Sequence, residues 1–427
     1  MMDGNDNEER GYKVYPYRWV VLTVFLLISA MIQLLWATFF SITTAAWKYF
    51  GFASADSGER AISLLSVIFM IGMVALSVPA FAAFEKWGFK KAVSFGAAVM
   101  GVCGVIRGIG GNSYRVVLAM TIGFAVAQPF IMNAPGLVAG KWFPESERAT
   151  ANGAGLLANY VGMSVGLIVT PLLYEHGMGI RSILLLYGAA SAVSAVLFIA
   201  FAREKPPTPP CSATDAERLD FREGLRGAFK KKNFRGCLLS FFLLFGIFNT
   251  VFTMIEPLMH TMSGGTVGST QSGVIGVVIL IVGIVGSLVI SMMSDRDTLH
   301  RRLKYIVAVN IVGMIGFAMF LVLRGISGMI VAGCIYGFFT IGSAPVLLTL
   351  AAEEAYPTSE GTSEGMMMLT GNIGGVILIG IASLFGDRHM LIMLLMLCLT
   401  AVSILRLAFI RESKLNKEKV NDMADGQ

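Results

Sequence analysis

Arg203-Glu204-Lys205-Pro206-Pro207-Thr208-Pro209-Pro210 opens a charged, proline-rich stretch in the middle of the chain, and Lys230-Lys231-Lys232-Asn233-Phe234-Arg235 closes it. Polyproline cannot continue a helix and holds the backbone extended, so the stretch reads as a semi-rigid spacer. On each side the sequence turns into long apolar runs, six before and six after. About 20 such residues cross a bilayer. In lipid the backbone must satisfy its own polar groups, so these runs are helices. The expected fold class is therefore an all-α membrane protein, with twelve transmembrane helices in two six-helix bundles joined at this seam.

The runs before the linker are Trp19–Trp47, Ala61–Phe84, Ala92–Ile106, Val116–Gly140, Ala149–Tyr174 and Ser182–Ala202. After it come Gly236–Ile255, Gln271–Met293, Tyr305–Leu323, Gly325–Ala352, Gly365–Gly386 and Met390–Ile410, the last with Arg406 near its end. A chain 55% hydrophobic and 14% charged, with mean hydropathy +0.72, is no ordinary soluble domain. The 48 glycines suit closely packed membrane helices. Expected boundaries are 1–18 for a cytoplasmic tail, 19–202 for the first bundle, 203–235 for the linker, 236–411 for the second bundle and 412–427 for a second tail. No cleaved signal peptide is expected, because no small-residue cleavage site follows a short apolar core.

With the N-terminus inside, most of the 33 basic residues fall in inner loops, the linker and the tails. Only Lys48, Arg60, Arg107, Arg115, Arg181, Arg324 and Arg388 fall outside. This bias predicts both termini cytoplasmic in a cell membrane, inner or plasma. The net charge of +6 then serves topology, and no nucleic-acid partner is expected. Leu219, Leu225 and Phe229 read either as the apolar side of a short basic helix on the inner leaflet or as part of a solvated connector. The five cysteines and four histidines show no disulfide or metal spacing, so no metal and no cofactor are predicted. His176, His260 and His389 are placed in outer loops and His300 in an inner one. Arg107 and Arg406 stand near span ends, where a long side chain can snorkel to water. There is no phosphate-binding loop, no His-Glu-x-x-His and no nucleophile with a plausible base, which argues against an enzyme.

The two halves echo each other. Phe143-Pro144-Glu145-Ser146-Glu147 is followed 213 positions later by Tyr356-Pro357-Thr358-Ser359-Glu360, and the same offset carries Asn159 onto Asn372. Glu85-Lys86 is matched by Asp295-Arg296, 210 positions on. A nearly constant offset means a duplicated unit. Two parallel repeats resemble the plan of the major facilitator superfamily, in which solute sites lie at midplane between the halves. That resemblance implies a secondary carrier of a small-molecule substrate in the lipid bilayer, working by alternating access and commonly as a monomer. Glu85-Lys86-Trp87-Gly88-Phe89-Lys90-Lys91 resembles a degenerate copy of the superfamily's loop motif. It implies that Glu85, Lys86 and Lys90, with Asp295 and Arg296 in the second half, belong to an ion-pair latch. Ordinary positive-inside charge is the plain alternative. Glu353, beside Glu354 at the inner end of span ten, is assigned to the same gate.

A narrower resemblance covers most of the chain. Arg18-Trp19-Val20-Val21-Leu22 leading to Trp36, then Glu85-Lys86, Trp142-Phe143, and above all Tyr356-Pro357-Thr358-Ser359-Glu360-Gly361-Thr362-Ser363 with Gly365, resemble the feline leukaemia virus subgroup C receptor family. The resemblance implies carriage of small organic cations, choline and ethanolamine, with haem also proposed. It implies a cage in which the first-span Trp is Trp36, with Met70 in span two. Thr253 stands where the family has a seventh-span Tyr, Tyr160 beside Asn159 where it has a span-five Gln, and Asn372 where it has a span-eleven Gln. Half of the aromatic cage is absent, and Tyr160 is the candidate to replace it from another helix.

Glu256, in Phe252-Thr253-Met254-Ile255-Glu256-Pro257, is the one acid read within a span. A carboxylate in a membrane marks function by default. It fits two roles, counter-charge to a cationic substrate or carrier of a coupling proton, and Pro257 leaves open a third, an early helix end in an outer vestibule. Gln128, with Asn133 a little beyond, either lines the cavity or bonds a neighbouring helix. The runner-up function is an organic-anion or drug exporter of the same superfamily, proton-coupled through Glu256.

Overall fold

The structure, a computed structural model, describes residues 14–208, 227–296, 302–355 and 360–410. Among them every regular element is helical. In chain order these are α1 Tyr17–Ala37, α2 Thr43–Tyr49, α3 Ala55–Trp87, α4 Phe89–Ile109, α5 Tyr114–Met132, α6 Pro135–Trp142, α7 Glu145–Glu175 and α8 Ile180–Phe201. Then follow α9 Lys232–Thr253, α10 Ile255–Met262, α11 Ser269–Arg296, α12 Arg302–Val322, α13 Ile326–Tyr336, a π-turn Gly337–Ile341, α14 Ala344–Ala355, α15 Glu360–Leu384 and α16 His389–Ala408. Joined across their kinks, they make twelve helices long and apolar enough to cross a membrane. Val322, Leu288, Val196 and Val102 stand exposed on them. An apolar exterior of this extent needs lipid rather than water around it.

The helix ends follow from local chemistry. The first charge-free run is not one helix: α1 stops at Ala37, and α2 is a separate short helix. Thr38 turns its hydroxyl back onto the Leu34 and Leu35 carbonyls, satisfying acceptors that the ended helix leaves open. The fourth span breaks at Asn133-Ala134, because Pro135 begins α6 without an amide to bond backwards. In the tenth span, the π-turn packs on α11 where Gly283 and Gly286 leave room for its backbone.

The chain divides into two compact units. One comprises Met1–Ala53 and Leu64–Asp215; the other comprises Ser54–Ser63 and Ala216–Gln427. The first turns of α3 thus pack with the second unit, although span two reads in sequence as part of the first bundle. In the first unit α4 packs on α8 and α5, and α1 on α7, around Phe25, Phe89 and Phe198, whose rings are 6.1–6.4 Å apart in sequence of contact. In the second, α9 packs on α15 and α16, around Phe234, Phe241, Ile306, Leu347, Met367 and Leu407.

Within each unit one parallel helix pair repeats. A Cβ on Gly162 would run into the Ala30 carbonyl, and one on Gly166 would lie 2.9 Å from Ala37 Cβ, so α1 and α7 touch backbone to backbone in parallel. A Cβ on Gly374 would run into the Phe242 carbonyl, and one on Gly371 would lie 2.7 Å from the Phe241 ring, so α9 and α15 do the same. The offset read from the loops therefore recurs in the packing.

Candidate functional site

Trp36 is buried one residue before the end of α1, with its ring 4.9 Å from Phe40 at 79°. Its Nε1–H has no partner among the described residues, and neither do Gln128 Oε1 on α5 or Asn159 Oδ1 on α7. Met70 on α3 is buried, and Tyr160 on α7 is half-buried. Asn133, at the end of α5, donates instead to Ser77 Oγ at 3.2 Å. Because Ala37 faces Gly166, Trp36 lies near that level of α7. Asn159, seven residues earlier, is about 10 Å deeper at 1.5 Å per residue.

In the second unit Thr253 is buried at the end of α9, and its hydroxyl finds no partner among the described residues. Asn372 on α15 is half-buried and donates to Met368 O at 2.8 Å. Since Phe241 and Phe242 face Gly371 and Gly374, Asn372 sits about ten residues below Thr253 along α9, or about 15 Å. The structure does not bring these two together. Glu256 does not continue the helix of Thr253. Met254 breaks it at φ −112°, and Glu256 lies in the first turn of α10. The early helix end is therefore present, and Glu256 itself is buried.

Four rings along α9 escaped the sequence reading. Phe241, Phe245, Phe248 and Phe252 form a continuous ladder with centroids 5.3, 5.7 and 4.6 Å apart. Their i, i+4, i+7, i+11 spacing was the available signal. Arg107 was also misjudged. It does not snorkel but is buried, donating from Nη1 to Leu35 O at 3.2 Å, with Phe39 and Phe124 centroids 5.0 and 5.4 Å from Cζ.

Of the assigned gate residues, Glu85 and Lys86 are exposed at the end of α3, with no ion pair among the described residues. The acid that engages this loop is Glu204, from just beyond α8. Its Oε1 accepts from the Phe89 amide at 3.0 Å, its Oε2 from the Lys90 amide at 2.6 Å, and Lys141 Nζ pairs with it. Gly88 at φ +81° turns those amides outward at the start of α4. Burial opposes the charge on Glu204, but Lys141 and the two amides outweigh it and hold the carboxyl below its usual value. Glu353 pairs with Arg302 at 2.9 Å, and Arg18 with Glu147 at 3.0 Å. The Asp295 and Arg296 side chains, and the loop motif at 356–359, lie outside the described residues.

Residues 24–379 match the Major Facilitator Superfamily. The chain belongs to that superfamily. It is 26% identical to a choline/ethanolamine transporter of Felis catus, over 84% of this chain and 66% of that protein. It is 27% identical to Solute carrier family 49 member A3 of Xenopus tropicalis, over 86% of this chain and 77% of that protein. Among solved structures it resembles a bacterial homologue of the human lysosomal transporter Spinster in an inward-facing, unoccupied conformation. The TM-score is 0.69 at 15% identity, covering 94% of this chain and all of that one. The superfamily and these relatives are membrane transporters, so this chain is a multi-pass membrane transporter and not an enzyme.

Proposed function

We propose that the chain carries a small organic cation such as choline by alternating access, in a cell membrane with both termini cytoplasmic. The observation that supports this most directly is Trp36. A buried indole, packed edge-on against Phe40 and without a partner for its Nε1–H, is the kind of face that attracts a quaternary ammonium, worth about 0.5–2 kcal/mol. Within the first unit, the unpartnered oxygens of Asn159 and Gln128 are acceptors for an ethanolamine or choline hydroxyl. The relatives named as choline/ethanolamine transporters point the same way.

Arg107 favours a second reading, an organic-anion exporter of the same superfamily with Glu256 as its proton carrier. Arg107 is a buried cation with no carboxylate partner among the described residues. Thermal stabilisation of the purified protein by choline, ethanolamine and a panel of organic anions, at two pH values, separates the readings, since binding raises apparent stability by mass action. Stabilisation by choline, weakened about tenfold in affinity in Trp36→Ala but retained in Trp36→Phe, is the expected result. Equal loss in both variants rules out recognition by the ring face. Stabilisation by anions alone, lost in Glu256→Gln as pH changes, overturns the cation reading in favour of the anion one.

A further inference from the structure

His389 begins α16 and is buried, although its sequence position suggested an outer loop. Its Nε2 lies 2.7 Å from Glu59 Oε2 and its Nδ1 lies 2.8 Å from Thr261 Oγ1. Both the imidazole and the carboxylate are 7% exposed. Glu59 lies in the segment Ser54–Ser63, at the start of α3, that packs with the second unit, whereas the rest of α3 belongs to the first. Nothing in the substrate site or in the loop contacts described above uses this chain of three groups.

We propose that His389 and Glu59 together form a proton-binding site that holds the first turns of α3 against α16 and α10 while the proton is bound. The proposal rests on the carrier reading and deepens it by naming where a coupling proton binds. With the imidazole doubly protonated, Nε2–H donates to the Glu59 carboxylate and Nδ1–H donates to the Thr261 hydroxyl. Charge and hydrogen bonds are then all satisfied in a buried setting. When the imidazole gives up that proton, the bonds persist in form, with the Thr261 hydroxyl now donating to Nδ1. The Glu59 carboxylate is left buried without a counter-charge, which favours its release toward water. Proton binding therefore stabilises the held state, and rising pH weakens it. Imidazole is the side chain suited to this, because its charge changes between about pH 5 and 8.

The charged and titratable groups on these elements and their ends are Asp56 and Arg60 on α3, Glu256 and His260 on α10, Asp387 and Arg388 before α16, and Arg324 after α12. Asp56 and Arg60 pair with each other at 2.9 Å, and His260 Nδ1 is engaged by Val267 O at 2.9 Å. His260 is the other imidazole nearby, so it supplies the control.

Hydrogen exchange of residues 55–63 in the full-length protein, followed from pH 5.5 to 8.5 after correction for intrinsic exchange, tests the proposal. In the wild type, opening of this segment rises by up to about tenfold per pH unit, the slope of one linked proton. His389→Gln and Glu59→Gln flatten the profile, while His260→Gln leaves it unchanged. Thr261→Val, which removes the Nδ1 partner and no charge, shifts the profile without flattening it. That result keeps the test decisive should either charge variant fail to fold. A wild-type slope that survives in both charge variants, or a flat wild-type profile, overturns the proposal. Choline stabilisation measured in parallel reads the substrate assignment separately. A pH slope without choline binding sinks only the choline reading, and choline binding with a flat profile sinks only the proton site.

Discussion

Two carboxylates in this molecule are held in opposite ways. Glu204 sits at a loop corner with its side chain 37% exposed, gripped by two backbone amides and a lysine. Two of these three partners are neutral amides, with no charge to lose. Glu59 is 7% exposed, and among the described residues its side-chain partner is the His389 imidazole. Amides and lysine give Glu204 a fixed charge, and water makes up what they lack. Burial leaves Glu59 dependent on the imidazole beside it, and the proton site proposed above would make its charge conditional. A static clasp and a titratable one can thus be built from the same acid, and the partner decides which.

The sharpest break is His389→Leu, which removes the partner and leaves a buried carboxylate alone. Removing one member of a buried pair costs about 3–5 kcal/mol. A clearly lowered melting temperature at pH 7 is the expected result, measured by thermal unfolding in detergent. Adding Glu59→Leu to that variant should recover much of the loss, because two apolar residues of similar volume do not leave a charge stranded. A double variant no more stable than the single one would mean that Glu59 is solvated by other groups.

Glu204→Gln is the corresponding change at the corner, and its expected cost is smaller, under about 1 kcal/mol, because water screens a pair this exposed. The amide keeps an acceptor for Phe89 or Lys90 and loses only the charge facing Lys141. The pH dependence follows from the direction of the shift. A carboxyl held below its usual value contributes stability above its unfolded pKa of about 4.3, and loses it as pH falls through the lower folded value. Lowering pH from 7 to 5 should therefore leave this corner intact. Acid sensitivity below about pH 4 should be reduced in the glutamine variant. Loosening of the corner already at pH 6 would show that the amides and Lys141 do not control it.

The sequence reveals the helices more readily than the clasps. Twelve apolar runs and one proline-rich seam suffice for the spans, because hydropathy and length are local properties. The offset between Asn159 and Asn372 even anticipates the paired packing of α1 on α7 and of α9 on α15. Polar partnerships are not local. Glu204 lies 115 and 114 residues from the amides that it binds, and Glu59 lies 330 residues from His389. In sequence Glu85 stands beside the right loop and is the natural choice of acid, yet it faces water. His389 looks like a loop residue because Arg388 and Asp387 precede it, and only tertiary packing buries it. The depth difference between Trp36 and Asn159 is likewise set by which glycines meet, not by either residue's neighbours. Thr253 and Glu256 illustrate the remaining limit. Three positions apart, they would share a helix face, but the break at Met254 assigns them to different helices.

The smallest expected effect is the most discriminating for Glu59. Arg60 is its immediate neighbour and a full charge, so proximity alone would nominate it as the counter-ion. In the structure Arg60 turns to Asp56 at 2.9 Å, one helical turn back, with both side chains 43–48% exposed. Exposed pairs of this spacing contribute about 0.3–0.5 kcal/mol. Arg60→Ala should thus change thermal stability barely measurably and leave the pH profile of residues 55–63 in place. A loss matching that of His389→Leu would transfer the counter-charge to Arg60. The clasp on α3 would then be as fixed as the one at Glu204, because a guanidinium does not titrate in the range where an imidazole does.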